Sequence, residues 1–169
     1  MSVETMPAAA STLSVVPADA FLAHWLGHRR LTRRVIEAFP EDQLFTYSVG
    51  GMRPFGVMAM ELVEIAGAMA RGVATDEWQT MDDHDKRTAI AKRELLRLHD
   101  QSTADVEQWW PRIPQERFAA GNTMTAFGQY PGKVYDLLLY AIDNEIHHRA
   151  QGYVYLRSLG IAPPPFYER

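Results

Sequence analysis

Apolar residues recur at every third or fourth position along four long stretches of the chain, which is the spacing that lines one side of an α-helix. These stretches cover residues 17–38, 54–72, 86–110 and 132–160. Residues 119–132, before the last stretch, are predicted to form a loop because they are rich in glycine and small polar residues. With no alternating strand pattern and short to medium connections, the sequence predicts an all-α fold, a four-helix bundle.

Length and composition fit one folded domain. The 169 residues are 47% hydrophobic, which is enough to bury a single core. Residues 1–16 have no helical pattern and are predicted to form a flexible N-terminal tail. Residues 17–169 form the predicted bundle. Its last part, APPPFYER at 162–169, is predicted to be an extended C-terminal tail that packs back on the helices.

Charge and cysteine content exclude several classes of function. A net charge of −4 and a pI near 5.8 lack the basic footprint of a nucleic-acid-binding protein. The absence of cysteine excludes disulfides, thiolate metal sites and cysteine nucleophiles. The N-terminus lacks the features of a signal peptide, and no stretch approaches the roughly 20 apolar residues of a membrane span. We therefore expect a cytoplasmic protein without a nucleic-acid or membrane partner.

Most charged residues and histidines before the last helix are expected at the surface. The arginines within residues 29–34 have the spacing of a solvated helix face. His24 and His28 are predicted to lie at the surface or at its boundary. His84 and His99 stand among charged residues and are predicted to face solvent. None of these residues is a leading candidate for a functional site.

The last predicted helix carries polar residues on its core-facing side. Within DNEIHHRAQGYVYLR, residues 143–157, the side chains of Asn144, His148 and Gln151 continue an apolar line of residues. They are therefore expected to point into the bundle rather than to water. His147 lies about 100° around the helix from His148 and is expected to have a different role.

One carboxylate interrupts the apolar line of the second predicted helix. Glu61 lies on this line among Met58, Ile65 and Ala68. A lone buried carboxylate is strongly unfavourable, so Glu61 needs a partner on another helix. That partner is either an imidazole that points inward, such as His148, or a divalent metal that bridges both side chains.

Two interpretations of Glu61, Asn144 and His148 therefore remain open. The four-residue spacing of Asn144 and His148 lets both reach one ion, and the three side chains offer nitrogen and oxygen donors for Zn, Ni, Mn or Fe. Alternatively, an ion pair between Glu61 and His148 with a hydrogen bond from Asn144 satisfies all three groups without metal. Arg53 and Arg149 offer positive charge for an anionic substrate, or they form ordinary surface ion pairs.

Two segments resemble one known family. The motif NEIHHRAQ, followed by YVYLRSLGI and a run of prolines, resembles the C-terminal helix of DinB/YfiT-like proteins. Residues 52–66, MRPFGVMAMELVEIA, resemble their second helix. In the family, a histidine of the second helix and an H-x-x-x-H pair of the fourth bind a divalent metal. By position, the resemblance implies Glu61, Asn144 and His148 as the metal ligands, of which only His148 keeps its residue type.

The resemblance also implies an activity. Relatives include metal-dependent thiol transferases and isomerases. It therefore implies thiol transfer, or a related transferase or hydrolase-like step, on a small-molecule thiol or electrophile. Gln151, His147 and Arg149 are expected around the metal ligands rather than on the ion. The alternative function is a metal-free, stress-associated binding protein with a buried pair of Glu61 and His148.

The resemblance further implies a quaternary structure. Family members often form homodimers, so the chain is expected to pair with a second copy. Phe166 and Tyr167 in the C-terminal tail are aromatic and are the candidate interface residues.

Overall fold

A computed structural model describes residues 16–79, 89–119 and 121–169. Its α-helices are α1, Ala18–Ala38; α2, Phe55–Thr75; α3, Lys92–Trp109; and α4, Val134–Ser158. Two short strands, β1 Thr123–Ala126 and β2 Tyr130–Lys133, precede α4. The described chain is thus mostly helical, in agreement with the predicted all-α class. The predicted N-terminal tail lies outside the described residues except for Val16, and His84 also lies outside them.

Proline residues set the starts of the first two helices. Pro17 and Pro54 each precede the first helical residue with an extended backbone, at ψ of 148° and 149°. The fixed φ of proline suits this position, and its missing N–H group costs nothing there. α3 begins at Lys92, later than predicted, because Ala91 is extended and Glu41 accepts a hydrogen bond from the Lys92 backbone at 2.8 Å.

The predicted loop at 119–132 contains an antiparallel β-hairpin, so the expectation of no strands is wrong at this point. β1 and β2 pair from Thr123 with Lys133 to Ala126 with Tyr130. The turn includes Phe127, whose φ is positive. Each strand has four residues, which is too short for an alternating pattern to stand out in the sequence.

The helices pack side by side, and α1 and α2 each contact both α3 and α4. Their apolar side chains form two clusters. The first, next to the hairpin, includes Trp25, Met69, Trp110 and Leu138. The second, next to the loop between α1 and α2, includes Phe39, Phe55, Leu95 and Tyr155. The described residues include no helix that combines the length and the apolarity of a membrane span.

Buried polar residues separate the two apolar clusters. Along each helix they fall between the positions that contribute to the first cluster and those that contribute to the second. This central polar layer consists of His28, Arg29, Thr32, Glu61, His99, Ser102, Glu145, His148 and Arg149. All four helices therefore contribute polar side chains to the middle of the molecule.

Three residues that were expected at the surface are buried. The exposed fractions of His28, Arg29 and His99 are 2%, 0% and 1%. Burial of Arg29 is possible because its guanidinium has hydrogen-bond acceptors on α2 and α3. These acceptors are the carbonyl oxygens of Leu62 and His99 and the hydroxyl groups of Ser102 and Thr103.

Candidate functional site

Glu61 of α2 and His148 of α4 meet in the central polar layer. Their side chains are 9% and 8% exposed, and Nε2 of His148 lies 3.3 Å from Oε1 of Glu61. Asn144, one turn before His148, donates a hydrogen bond from Nδ2 to the same oxygen at 3.2 Å. The structure therefore brings the three predicted residues together, because a four-residue step places Asn144 and His148 on one side of α4.

Gln151 orients the imidazole of His148. Its Oε1 accepts a hydrogen bond from Nδ1 of His148 at 2.9 Å. The amide nitrogen of Gln151 lies 3.7 Å from the sulfur of Met52 in the loop before α2. With Nδ1 held by Gln151, Nε2 is the ring nitrogen that faces Glu61.

Arg53 completes the cluster from the loop that precedes α2. Its Nη1 lies 2.7 Å from Oε2 of Glu61, and its Nη2 lies 3.4 Å from Nε2 of His148. The Tyr155 hydroxyl donates a hydrogen bond to the carbonyl oxygen of Arg53 at 3.0 Å. Earlier in the loop, Gly51 has a φ of 76°, a left-handed conformation that glycine adopts without strain. The loop thereby brings a guanidinium to the buried carboxylate.

The contacts of Glu61 keep its carboxylate ionised. Burial alone raises the pKa of this carboxyl, but hydrogen bonds from His148 and Arg53 outweigh burial and lower the pKa to about 2. Burial and the charge of Glu61 also raise the pKa of Tyr140, which places this phenol in the field of the carboxylate. The site is therefore a buried negative charge that a protein cation neutralises.

Of the two other residues expected around the site, His147 borders the cluster through the ring of His148, whereas Arg149 contacts α1. His147 is exposed, and its ring meets the His148 ring edge-on at a centroid distance of 5.0 Å. Arg149 donates hydrogen bonds to the carbonyl oxygen of His28 and the hydroxyl of Thr32. Arg149 therefore joins α4 to α1, whereas the Glu61 cluster joins α4 to α2.

The side chains at this site do not fit a divalent metal. Within the part of the chain that the structure describes, no three His, Cys, Asp or Glu side chains form a group that could hold an ion. The converging donors are one imidazole, one carboxylate and one amide, and an amide is a poor substitute for a second imidazole. The carboxylate of Glu61 also already pairs with Arg53.

Sequence reasoning left the role of Arg53 open between an anion anchor and a surface residue, and missed its pairing with Glu61. The sequence offered one general signal. A buried carboxylate needs a cation, and Arg53 lies in the short segment that leads into the helix of Glu61.

Comparisons with known proteins agree with this architecture. The DinB family model matches residues 6–169. The crystal structure of a DinB-like protein from Bacillus subtilis matches with a TM-score of 0.65 and 21% identity, over 88% of this chain and 97% of that chain. A DinB-like protein from Bacillus cereus matches with a TM-score of 0.70 and 18% identity, over the same shares of the two chains. No protein with a curated function matches. The chain therefore belongs to the DinB family.

Proposed function

We propose that this DinB-family four-helix bundle is a metal-independent binding protein that takes a small carboxylate-bearing molecule between α2 and α4. The observation that carries the proposal is the ion pair of Arg53 and Glu61 at 2.7 Å. The same guanidinium also lies 3.4 Å from the imidazole nitrogen of His148. Arg53 thus supplies positive charge beside the side chains that the family resemblance assigns to a metal ion.

Charge balance supports metal independence. Two unit charges 4 Å apart interact by about 4 kcal/mol at an effective dielectric constant of about 20. A dication beside Arg53 would therefore be repelled by about twice this energy. The carboxylate of Glu61 already pairs with Arg53 at 2.7 Å, so a dication would compete with the guanidinium for the same carboxylate.

The exposed side of the cluster favours an anionic ligand group. Arg53 is 32% exposed, whereas Glu61 is only 9% exposed, so an incoming molecule meets the guanidinium first. A guanidinium binds a carboxylate through two parallel N–H donors. Met52 and Tyr140 nearby are 37% and 53% exposed and offer apolar surface to the rest of the molecule. A low-molecular-weight thiol that carries a carboxylate has these features.

An NMR titration of untagged, ¹⁵N-labelled protein in the presence of EDTA tests the proposal. The probes are glutathione, cysteine and acetate. We expect shifts of backbone signals in residues 52–61 and 144–151 that persist with the chelator. Arg53→Gln is expected to weaken binding at least about tenfold, because it removes the charged fork. Arg97→Gln is the matched control, since Arg97 is exposed and pairs with Glu94 on α3.

Elemental analysis of the same preparation separates this function from metal-dependent thiol transfer. A near-stoichiometric transition metal that is lost in His148→Ala would contradict the proposal and support the metal-dependent activity. If none of the three probes shifts these signals, the proposed ligand class is wrong. If Arg53→Gln binds as tightly as the native protein, Arg53 is not the anchor.

A further inference from the structure

The imidazole of His28 lies between two arginine side chains on the α1 side of α4. Its Nδ1 is 2.8 Å from Nη2 of Arg149, and its Nε2 is 3.3 Å from Nη1 of Arg169. Nε2 also lies 3.2 Å from Nε2 of His24, one turn earlier on α1. His28 and Arg149 are buried, whereas His24 and Arg169 are exposed. This group of side chains therefore has a buried floor and a side that is open to solvent.

The hydrogen-bond donors around Nε2 of His28 outnumber the acceptors. Burial, followed by the charges of Arg149, Arg169 and His24, lowers the pKa of His28 to about 3, so at pH 7 the ring is neutral and carries one N–H. A guanidinium only donates, so the short contact with Arg149 makes Nδ1 the acceptor. The hydrogen is therefore on Nε2, where it points toward His24 and also faces the N–H groups of Arg169. An acceptor beside Nε2 would satisfy the imidazole and this guanidinium together.

The charges on this side of the molecule indicate that the acceptor is an anion. Burial lowers the pKa of Arg149, and the charge of Glu145 opposes this shift. The same carboxylate already pairs with Arg29 at 3.5 Å. Within the described part of the chain, no Asp or Glu carboxylate lies within ion-pair distance of Arg149 or Arg169. Three guanidiniums therefore stand against the one negative charge of Glu145, which leaves an excess of two positive charges.

Gly27 allows the C-terminal segment to lie directly on α1. A Cβ atom at this position would be 3.2 Å from Cβ of Arg169 and 3.7 Å from Nη2 of Arg30. Glu168 also pairs with Arg34 of α1 at 3.4 Å, which fixes the same segment to the helix. The exposed guanidiniums of Arg30 and Arg169 therefore lie over one patch of α1. The whole group, the His28 cluster, consists of His24, His28, Arg30, Arg149 and Arg169.

We propose that the His28 cluster binds a phosphate group. Guanidiniums bind phosphate oxygens through paired N–H donors. A phosphate monoester carries a charge of about −1.5 to −2 at pH 7, which matches the excess of positive charge. A phosphate oxygen beside Nε2 of His28 accepts from this N–H and from Nη1 of Arg169, so the two donors no longer oppose each other. The phosphate site lies between α1 and α4, whereas the proposed carboxylate site lies between α2 and α4, so the two are separate.

An NMR titration of untagged, ¹⁵N-labelled protein tests the inference. The probes are inorganic phosphate and glycerol 3-phosphate, and sodium chloride keeps the ionic strength constant. We expect saturable shifts of backbone signals in residues 24–30 and 166–169. Saturation by inorganic phosphate supports a site for the free ion, and saturation by glycerol 3-phosphate alone supports a site for a monoester. Arg169→Gln should bind at least about tenfold more weakly, because it removes an exposed guanidinium without disturbing the core.

Two further variants locate the site. Arg93→Gln is the matched control, since Arg93 is exposed on α3, and it should bind phosphate as the native protein does. Arg53→Gln should also bind phosphate normally, because Arg53 belongs to the proposed carboxylate site. The inference is wrong if neither probe gives saturable shifts, or if Arg169→Gln binds phosphate as tightly as the native protein. Shifts confined to residues 52–61 and abolished by Arg53→Gln would place the anion at the carboxylate site and would also overturn it.

Discussion

Arg29 of α1 and Glu145 of α4 form an ion pair that is almost completely shielded from water. Nη1 of Arg29 lies 3.5 Å from Oε2 of Glu145, and the two side chains are 0% and 1% exposed. The same guanidinium donates hydrogen bonds to oxygens of α2 and α3. The Arg29 side chain therefore contacts all three other helices, and among the described residues Glu145 is the carboxylate within ion-pair distance of its guanidinium.

Replacing Glu145 alone is expected to lower the free energy of unfolding substantially. Glu145→Leu leaves Arg29 charged, buried and without its carboxylate, and breaking one side of a buried pair typically costs about 3–5 kcal/mol. Urea denaturation followed by circular dichroism measures this loss in the free energy of unfolding.

The double variant Arg29→Met with Glu145→Leu is the matched comparison. Replacing a whole buried ion pair with apolar residues of similar volume is often neutral. We therefore expect the double variant to be more stable than Glu145→Leu alone. If the double variant loses as much as the two single variants added together, the two charges are not coupled.

Removing the guanidinium of Arg53 and adding a second imidazole ligand at position 144 is expected to create a metal site. Arg53→Met removes the guanidinium from Glu61, and Asn144→His adds a second imidazole one turn from His148. We expect the double variant to bind Zn²⁺ at about one ion per chain, because Zn²⁺ prefers imidazole and carboxylate ligands. Isothermal titration calorimetry measures the affinity.

Asn144→His alone is the control for this gain of function. It has the same imidazoles but retains Arg53, whose charge opposes the ion. We expect it to bind Zn²⁺ at least about tenfold more weakly than the double variant. Equal affinities would show that Arg53 does not keep metal from the site.

Acid is expected to destabilise the fold through His28. Burial, and then the charges of Arg149, Arg169 and His24, lower the pKa of His28 to about 3. The unfolded chain has the ordinary pKa near 6.5 and so binds more protons between pH 6.5 and 3. Stability from neutral His28 is therefore present above pH 6.5 and is lost as the pH falls toward 3. By linkage, the loss at pH 5 is about 2 kcal/mol.

Urea denaturation at pH 8 and pH 5 measures this dependence. His28→Gln retains a side-chain amide but cannot titrate, so it should show a smaller loss of stability between the two pH values. Burial likewise lowers the pKa of His99, so part of the dependence should remain in this variant. An unchanged pH dependence in His28→Gln would contradict the assignment.

Gly152 allows close contact between α4 and α2. A Cβ atom at this position would lie 2.5 Å from the ring of Phe55, which is fully buried. Gly152→Ala therefore forces the ring or the helix to move, and such overpacking typically costs about 1–3 kcal/mol. Thermal denaturation measures the effect. Gly121→Ala, whose added Cβ meets no atom within 4 Å, should change the melting temperature little.

The hydrophobic pattern of the sequence predicts most of the helices and the three site residues. Apolar periodicity places α1, α2 and α4 to within a few residues, since each has a long amphipathic pattern. The same periodicity brings Glu61, Asn144 and His148 together, because polar residues on an apolar line must face the core. The start of α3 is less predictable, since polar residues dominate the connection before it.

The buried charges were harder to predict, because charged residues and histidines usually lie at the surface. The periodicity nevertheless contained the information for two of them. Arg29 follows Trp25 by four residues, and His99 follows Leu95 by four, so each lies on the core side of its helix. The position of a residue on the apolar line of its helix predicted burial better than its residue type did. Arg53 lies in a loop, where no periodicity applies.

The central polar layer has a consequence for the alignment of the four helices. Apolar side chains tolerate a helix that slides by one turn, about 5.4 Å, because one hydrophobic contact replaces another. A shift of α1 by one turn is unfavourable for Arg29. It would separate the guanidinium from the carboxylate of Glu145 and leave two buried charges unpaired. The polar layer therefore favours a single axial register of the four helices and makes registers shifted by one turn unfavourable.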